Sequence, residues 1–321
     1  MEELTTTMVL SNISSSPGHL SHASLDSNGL VPALVLSLCL LVGIPGNIAV
    51  IILRPNWGHL SGLSQSLMLN LTVSDLLCLL TLPLWIYVLL YGWTFGLVAC
   101  KFLVFLVYCS VYGSQLTVTG LSVQRYLLVV HQHRRLHQVR IRMLLVLLWL
   151  LAMLLSIPAL VVRQLTTDQQ LTRCQPRYSS EVQNVAVLLT ETLVGFVSLS
   201  LVIFSYIQLH KKVNQTAFFN NPQTTRLVTS IIVTFFVLWV PYHITNLLGV
   251  AAISLKNKEL LKFCTASWNI VGSLTFVNSC LNPLLYAFTS HNICNICQKT
   301  QPLRPNVEIP QTQDISAASE P

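Results

Sequence analysis

The chain has 321 residues, of which 53% are hydrophobic and 9% are charged, and its mean hydropathy is +0.63. Soluble domains carry about 25% charged residues, so this composition excludes an ordinary soluble protein and indicates that most of the chain faces lipid or other apolar helices. The formal net charge is +7, but the lysines and arginines lie between apolar runs and form no continuous basic stripe. We therefore expect no nucleic-acid partner.

Apolar runs predict the elements in chain order. A helix needs about 20 predominantly apolar residues to cross a bilayer, and seven stretches meet this requirement. Spans one to seven are predicted at Pro32–Leu53, Leu63–Leu90, Cys100–Val130, Met143–Val162, Val185–His210, Leu227–Ile253 and Phe263–Phe288. Backbone polar groups in lipid must bond within their own segment, and the alternation of a membrane barrel is missing. The prediction is an all-α membrane protein with one seven-transmembrane helix bundle over residues 30–290, an N-terminal tail at 1–29 and a cytoplasmic tail at 291–321.

Positive charge predicts the orientation. With the N-terminus placed outside, eleven lysines and arginines fall on the cytoplasmic side of the bundle and seven on the outer side. Because cytoplasmic loops are enriched in these residues, we expect the N-terminal tail to be extracellular. Asn12-Ile13-Ser14 is a glycosylation sequon, which fits this orientation and predicts a glycan on Asn12. The tail has neither a basic start nor a short apolar core, so no cleaved signal peptide is expected.

Two carboxylates lie deep inside the predicted spans, Asp75 in span two and Glu191 in span five. A charged group costs about 2.5–3.5 kcal/mol at the centre of a membrane helix on insertion scales, and charges that persist there usually have a function. Polar residues of spans one, three and seven lie at a similar depth to Asp75: Asn47, Ser114, Asn278 and Asn282. They predict a pocket that holds a cation, waters or both, and a purely structural hydrogen-bond network is the alternative.

Two prolines interrupt spans beside informative neighbours. Pro241 lies two positions after Trp239 in span six, and Pro283 follows Asn282 near the inner end of span seven. Proline removes a backbone donor and bends a helix. Each bend is either a hinge that moves in function or a static kink.

Short motifs follow one another along the seven spans. They are Gly46-Asn47, Leu71 to Asp75, Trp93-Thr94-Phe95-Gly96 before Cys100, Gln124-Arg125-Tyr126, Trp149, Tyr206, Trp239-x-Pro241 and Asn282-Pro283-x-x-Tyr286. Their order resembles the rhodopsin-like (class A) G-protein-coupled receptors over nearly the whole chain. The resemblance implies a plasma-membrane receptor without enzymatic activity, whose partners are membrane lipids, a heterotrimeric G protein of the inhibitory type and, in addition, arrestin.

The resemblance also implies roles for individual residues. Helix movement would open the cytoplasmic end to the G protein, and Trp239 would be the switch at the floor of the ligand pocket. The activation switch would comprise Arg125, Tyr206, Trp239, Pro241, Asn282, Pro283 and Tyr286. An allosteric sodium ion, the one cofactor expected, would lie among Asp75, Ser114, Asn278 and Asn282.

Three positions depart from the family pattern. Gln124 stands where an acid normally pairs with Arg125, and the loss of that ion pair predicts basal activity. Leu238 replaces the usual cysteine before Trp239, and the segment from Phe196 to Tyr206 lacks the customary proline of span five.

Nine cysteines are too few and too scattered for a disulfide-rich secreted fold. Cys100 and Cys174 match the family's disulfide, which ties the loop before span five over the pocket. Cysteines inside spans are expected to be buried as small hydrophobic residues: Cys39, Cys78, Cys109 and Cys280. Cys294 and Cys297 follow the last span, where palmitoylation is predicted; no metal site is predicted.

Arginines near the outer ends of the spans would attract an anion. Arg163 directly follows span four and Arg177 lies in the next loop, and guanidinium groups hold carboxylates in bidentate geometry. Stretches in spans three, five and six and in the loop before span five are similar to leukotriene B4 receptors: Val111 to Ser114, Thr190 to Phe196, Leu238 to Leu247 and Cys174 to Glu181.

This closer resemblance implies a dihydroxylated fatty acid as the anionic lipid ligand, and thus a receptor for leukotriene B4 or a related hydroxy fatty acid that acts as a chemoattractant. The ligand-binding residues would be Tyr112, Arg163, Arg177, Glu191, Trp239 and Asn246. Val104 stands where those receptors carry a histidine, so ligand choice can differ.

Two other functions compete with a lipid receptor. A peptide chemoattractant receptor of the chemokine or formyl-peptide type would suit the basic outer face, but the N-terminal tail has no tyrosine for sulfation and no cysteine. A membrane transporter would favour inverted repeats and broken half-helices, and the sequence shows neither.

Overall fold

The computed structural model describes residues 27–54, 61–130, 138–168, 171–215 and 222–289. Its elements are α1 (Ser27–Leu53), α2 (Gly62–Leu79), α3 (Leu82–Tyr91), α4 (Gly96–Val130), α5 (Gln138–Val162), β1 (Arg163–Asp168), β2 (Leu171–Pro176), α6 (Glu181–Gln215), α7 (Pro222–Ser254) and α8 (Lys258–Thr289). The glycan at Asn12 and the lipidation at Cys294 and Cys297 lie outside the described residues and stay predictions, as do the proposed tail boundaries.

Seven helical segments in the described part of the chain are long and apolar enough to cross a membrane, which confirms the predicted seven-helix bundle. Most of the helices extend past the apolar runs; α4 begins at Gly96 and α5 at Gln138, before the predicted starts at Cys100 and Met143. Hydropathy marks only the part of a helix inside the hydrocarbon layer. Polar turns that continue into the headgroup region are therefore missed.

Span two is broken into α2 and α3 around Leu80 and Thr81, where the sequence predicted one continuous helix. Pro83 lies in the first turn of α3 and has no N–H for the carbonyl four residues earlier. The Thr81 hydroxyl donates to the Cys78 carbonyl at 2.7 Å. The side chain thus satisfies a backbone acceptor at the break.

A two-stranded antiparallel hairpin, β1 and β2, lies between α5 and α6, and the sequence analysis did not predict it. Its register pairs Arg163 with Pro176 and Leu165 with Cys174. The predicted disulfide between Cys100 and Cys174 is present and joins β2 to the start of α4. We call this the disulfide end of the bundle, and the opposite end the Arg125 end.

Asparagines tie the helices together inside the bundle. Asn47 on α1 donates to the Ser279 carbonyl of α8 at 3.1 Å. Asn70 on α2 donates to the Thr117 hydroxyl of α4 at 2.7 Å and accepts from the Trp149 indole of α5 at 2.9 Å. These bonds fix the relative rotation of five helices, because few polar groups are available to exchange partners in an apolar interior.

Glycines permit a close approach between α1 and α8. A Cβ on Gly43 would meet Cys280 at 2.9 Å, and a Cβ on Gly46 would meet Pro283 at the same distance. Small residues allow helix backbones to pack closely in membranes. The outer surface of the bundle instead carries large apolar side chains. Leu154, for example, is 62% exposed, as contact with lipid requires.

Candidate functional site

A buried carboxylate occupies the interior between α6 and α7 near the disulfide end. Glu191 on α6 is 7% exposed. Its Oε2 accepts from the Tyr242 phenol at 2.7 Å and from the Asn246 amide at 3.0 Å, both on α7. Tyr108 of α4 is a further hydrogen-bond partner. These four residues are called the Glu191 cluster.

Helix geometry explains how the cluster assembles. Tyr242 and Asn246 are four residues apart and so lie on one face of α7. The carboxylate facing them would be costly to bury alone, and several hydrogen-bond donors offset that cost. Glu191 and Asn246 are among the ligand-binding residues predicted from the sequence, whereas Tyr242 and Tyr108 are not. The spacing of Tyr242 and Asn246 was the available signal.

Arg163 is the first residue of β1, directly after α5, and is 9% exposed. Its Nη1 donates to the Cys174 carbonyl over 3.5 Å, and its buried Nε has no hydrogen-bond partner among the described residues. It lies within electrostatic range of Glu191. The predicted arginine is therefore in the interior, at the start of the disulfide hairpin.

The other predicted cations lie differently. Arg177 is exposed, and its backbone N–H donates to the Val162 carbonyl at 2.8 Å. Arg173 on β2 is also exposed. Tyr178, which follows Arg177, is half-buried; this burial first, and then the negative charge of Glu191, raises the pKa of Tyr178 to about 12. Its phenol is therefore neutral at physiological pH and can donate a hydrogen bond near Arg163.

An aromatic group lies one turn deeper than the Glu191 cluster. The Trp239 ring centroid is 5.5 Å from Phe235 and 6.0 Å from Tyr242. His243 stacks on Trp239 at 5.8 Å with an interplanar angle of 23°. Tyr112, another predicted ligand contact, is 4% exposed on α4, with its ring 6.1 Å from that of Tyr108.

A second buried carboxylate lies midway between the two ends. Asp75 on α2 accepts from the Ser114 hydroxyl at 3.1 Å and from the Asn282 amide at 2.6 Å. Ser279 of α8, which was not predicted, is a third hydrogen-bond partner of Asp75. The preceding residue, Asn278, is also buried. A carboxylate beside two serine hydroxyls offers the hard oxygen donors that alkali and alkaline-earth cations prefer, so the residues fit a sodium ion.

Gln124 and Arg125 lie at the opposite end and do not pair as the family motif would. The Gln124 amide donates to the Ser61 hydroxyl at 2.7 Å, and its oxygen accepts from Ser64 at 3.1 Å. Nε and Nη2 of Arg125 are buried without a hydrogen-bond partner in the described part of the chain.

Of the other predicted switch residues, Pro241 and Pro283 lie inside α7 and α8, and Tyr206 is 36% exposed on α6. The side chain of Tyr286 lies outside the described set.

The free cysteines agree with expectation. Cys39, Cys78, Cys109 and Cys280 are all buried. Cys264, which the sequence analysis left unassigned, is buried as well.

The sequence matches a known receptor family. The profile described as "7 transmembrane receptor (rhodopsin family)" matches residues 46–286. The chain is 33% identical to leukotriene B4 receptor 1 of Homo sapiens over 278 residues, which cover 80% of this chain and 76% of that protein. It is 32% identical to type-1 angiotensin II receptor B of Rattus norvegicus over 276 residues, covering 81% and 77% of the two chains.

A chemokine receptor is similarly related. C-C chemokine receptor type 7 of Homo sapiens is 30% identical over 267 residues, covering 79% of this chain and 70% of that protein. The profile match spans all the helices that carry the buried polar clusters. The chain therefore belongs to the rhodopsin family of seven-transmembrane, G-protein-coupled receptors, as a multi-pass plasma-membrane signalling protein and not an enzyme.

Proposed function

We propose that the ligand of this receptor is a hydroxylated long-chain fatty acid of the leukotriene B4 kind. One observation carries the proposal: a buried arginine, Arg163, lies within electrostatic range of a buried polar cluster on Glu191, and an aromatic group lies one turn deeper. This order of cation, hydrogen-bonding groups and apolar rings matches the order of groups along such a lipid. Leukotriene B4 receptor 1 is among the relatives.

Arg163 would hold the ligand carboxylate. Its Nε is buried without a partner among the described residues, and its Nη1 makes only a 3.5 Å contact. A guanidinium with unused donors binds a carboxylate bidentately. Attraction between the two charges is stronger where the hairpin excludes water.

The Glu191 cluster would bind a hydroxyl group. Asn246 donates to Glu191, but its Oδ1 is buried with no hydrogen-bond partner in the described part of the chain. A ligand O–H can donate to this oxygen and accept from a neighbouring phenol, such as that of Tyr112. Sites built to hydrogen-bond a hydroxyl discriminate strongly against analogues that lack it.

The hydrocarbon chain would then run toward Trp239 and move the activation switch. Trp239 packs against Phe235 and lies two residues before Pro241. A ligand that fits one arrangement of these rings better than the other shifts the population of bent and straight α7. Outward movement of α7 would expose Arg125 to an inhibitory G protein, and arrestin would bind the same face.

The remaining predictions belong to this proposal. The disulfide end would face outside together with the N-terminal tail and a glycan on Asn12, because disulfides persist in oxidising compartments. Palmitate on Cys294 and Cys297 would anchor the cytoplasmic tail. A sodium ion at Asp75 would stabilise one of the two states, with Ser114, Asn278 and Asn282 around it.

A peptide ligand is the second candidate. Relatives named for chemokines and angiotensin II support it. Basic residues are also exposed at the disulfide end, where they would suit an acidic peptide: Arg173, Arg177, Lys256, Lys258 and Lys262. Salt screens the attraction of these exposed charges for a ligand, whereas Arg163 is buried and its attraction is screened less.

Cyclic AMP inhibition in transfected cells separates the two candidates. The ligands are leukotriene B4, its methyl ester, arachidonic acid, angiotensin II and a C-C chemokine. We expect a response to leukotriene B4 that weakens sharply for the ester, which lacks the charge, and for arachidonic acid, which lacks the hydroxyls. A response to a peptide with none to leukotriene B4 would overturn the lipid assignment.

A further inference from the structure

His243 is a buried imidazole, and its two ring nitrogens lack hydrogen-bond partners among the residues that the structure describes. It is 2% exposed, and neither Nδ1 nor Nε2 is bound within the described residues. A neutral imidazole carries one N–H donor and one acceptor. Leaving both unmet in an apolar interior is costly, so a native position of this kind calls for an explanation.

The position of the ring is closely defined. Its flat face stacks on Trp239, and its edge fits against the backbone of Gly195 on α6, where an added Cβ would overlap the ring. Phe196 lies on the same side, with its centroid 6.5 Å away. The glycine thus provides the space that the imidazole fills, and the aromatic neighbours hold it in place without offering it a hydrogen bond.

His243 lies on the seam that carries the Glu191 cluster. On α6, Gly195 follows Glu191 by four residues, which places it one turn further along on the same face. On α7, His243 precedes Asn246 by three residues and lies one turn from it. The rise of four helical residues is about 6 Å, so the two polar positions follow each other along one line into the bundle.

We propose that His243 is a specificity-determining residue that hydrogen-bonds a second ligand hydroxyl, the one farther from the carboxylate. This rests on the proposed lipid function and deepens it. A hydroxyl both donates and accepts, so it can satisfy either ring nitrogen. A fatty acid with its carboxylate at Arg163 and its first hydroxyl at the Glu191 cluster meets His243 with a hydroxyl placed further along the chain, directly beside the Trp239 switch.

The test compares two ligands on matched variants. The ligands are leukotriene B4 and its analogue in which the hydroxyl distal to the carboxylate is replaced by hydrogen. In the wild type we expect the analogue to bind about tenfold more weakly, the scale of one hydrogen bond. In His243→Phe, which keeps a ring on Trp239, the two ligands should bind within twofold of each other, and His243→Asn should restore part of the difference.

Further variants separate the alternatives. Gly195→Ala displaces the imidazole and should reduce the discrimination as His243→Phe does, while Arg163→Ala should weaken both ligands and preserve their ratio. Binding of the deoxy analogue reports that each variant is folded. Full discrimination by His243→Phe, or equal binding of both ligands to the wild type, overturns the role of His243 alone. A wild type that binds neither ligand overturns the lipid function and the His243 proposal together.

Discussion

Gln124 of α4 donates its amide to the hydroxyl of Ser61, 2.7 Å away, and Ser61 is also the residue that caps the N-terminus of α2. The position after Gln124 carries the buried guanidinium of Arg125, which gains nothing from this neutral neighbour. A carboxylate at position 124 would compensate the charge of Arg125; an amide instead joins α4 to α2.

We therefore expect Gln124→Asp to lower signalling in the absence of ligand, because an aspartate can pair with Arg125 and stabilise the resting arrangement. Cyclic AMP measured at matched surface expression is the readout. Gln124→Asn, which shortens the side chain without adding charge, is the control. Signalling by the aspartate variant as strong as that of the wild type would contradict the prediction.

The arginines at the disulfide end should differ in their effect on leukotriene B4 binding. Arg163 is buried and Arg177 is exposed, so removal of the first should cost more affinity because its attraction is less screened. We expect a loss of tenfold or more for Arg163→Ala and a smaller one for Arg177→Ala. Radioligand competition measures both.

Arg173→Ala is the matched control, since it removes another exposed arginine from the same hairpin. It should leave affinity within twofold of the wild type. Undiminished affinity in both Arg163→Ala and Arg177→Ala would refute carboxylate binding by arginine.

Tyr242→Phe removes a hydrogen bond to Glu191 that is 2.7 Å long. The carboxylate then keeps fewer donors in an apolar interior, so the folded receptor should lose about 1–3 kcal/mol. Thermal melting of the ligand-free receptor in nanodiscs should show a lower midpoint, by a few degrees. Tyr87→Phe, which alters a tyrosine that is 39% exposed, should not change it; equal midpoints in all three proteins would argue against the bond.

Asp75→Asn tests the sodium site. The uncharged amide keeps the size of the side chain but no longer compensates a cation, so sodium should lose its effect on agonist affinity. In the wild type, affinity should change when choline replaces sodium at constant ionic strength, by linkage between the two sites. Sodium dependence that is unchanged in Asp75→Asn would place the ion elsewhere, and its absence from the wild type would exclude the site.

The sequence predicted the membrane helices because each depends on a local feature, whereas the disulfide joins residues 74 positions apart and was predicted on other grounds. An apolar run of membrane length leaves few alternatives to a helix, and Cys100 with Cys174 follows from the family resemblance. The break at Leu80 was missed because a proline inside an apolar run does not reveal whether the helix bends or stops. The hairpin was missed because β1 and β2 are short and polar.

The candidate site was predicted in part for a similar reason. Glu191 was identifiable because a carboxylate inside a span is rare. Its partners Tyr242 and Tyr108 depend on the rotation of α7 and α4 about their own axes, which no single segment specifies. His243 was not selected from the sequence, because its significance lies in what Gly195 and Trp239 do not offer it.

The contact between Gly46 and Pro283 constrains how the receptor can move. Gly46 has no side chain, so the proline ring of α8 packs closely on α1 at this point, and an added Cβ on Gly46 would meet Pro283 at 2.9 Å. We therefore expect the bend at Pro283 to change without a wider spacing between α1 and α8. A methyl group added at Gly46 would press against Pro283 and oppose a change in the bend of α8. A single carbon atom would then restrict the receptor at a position far from the proposed ligand site.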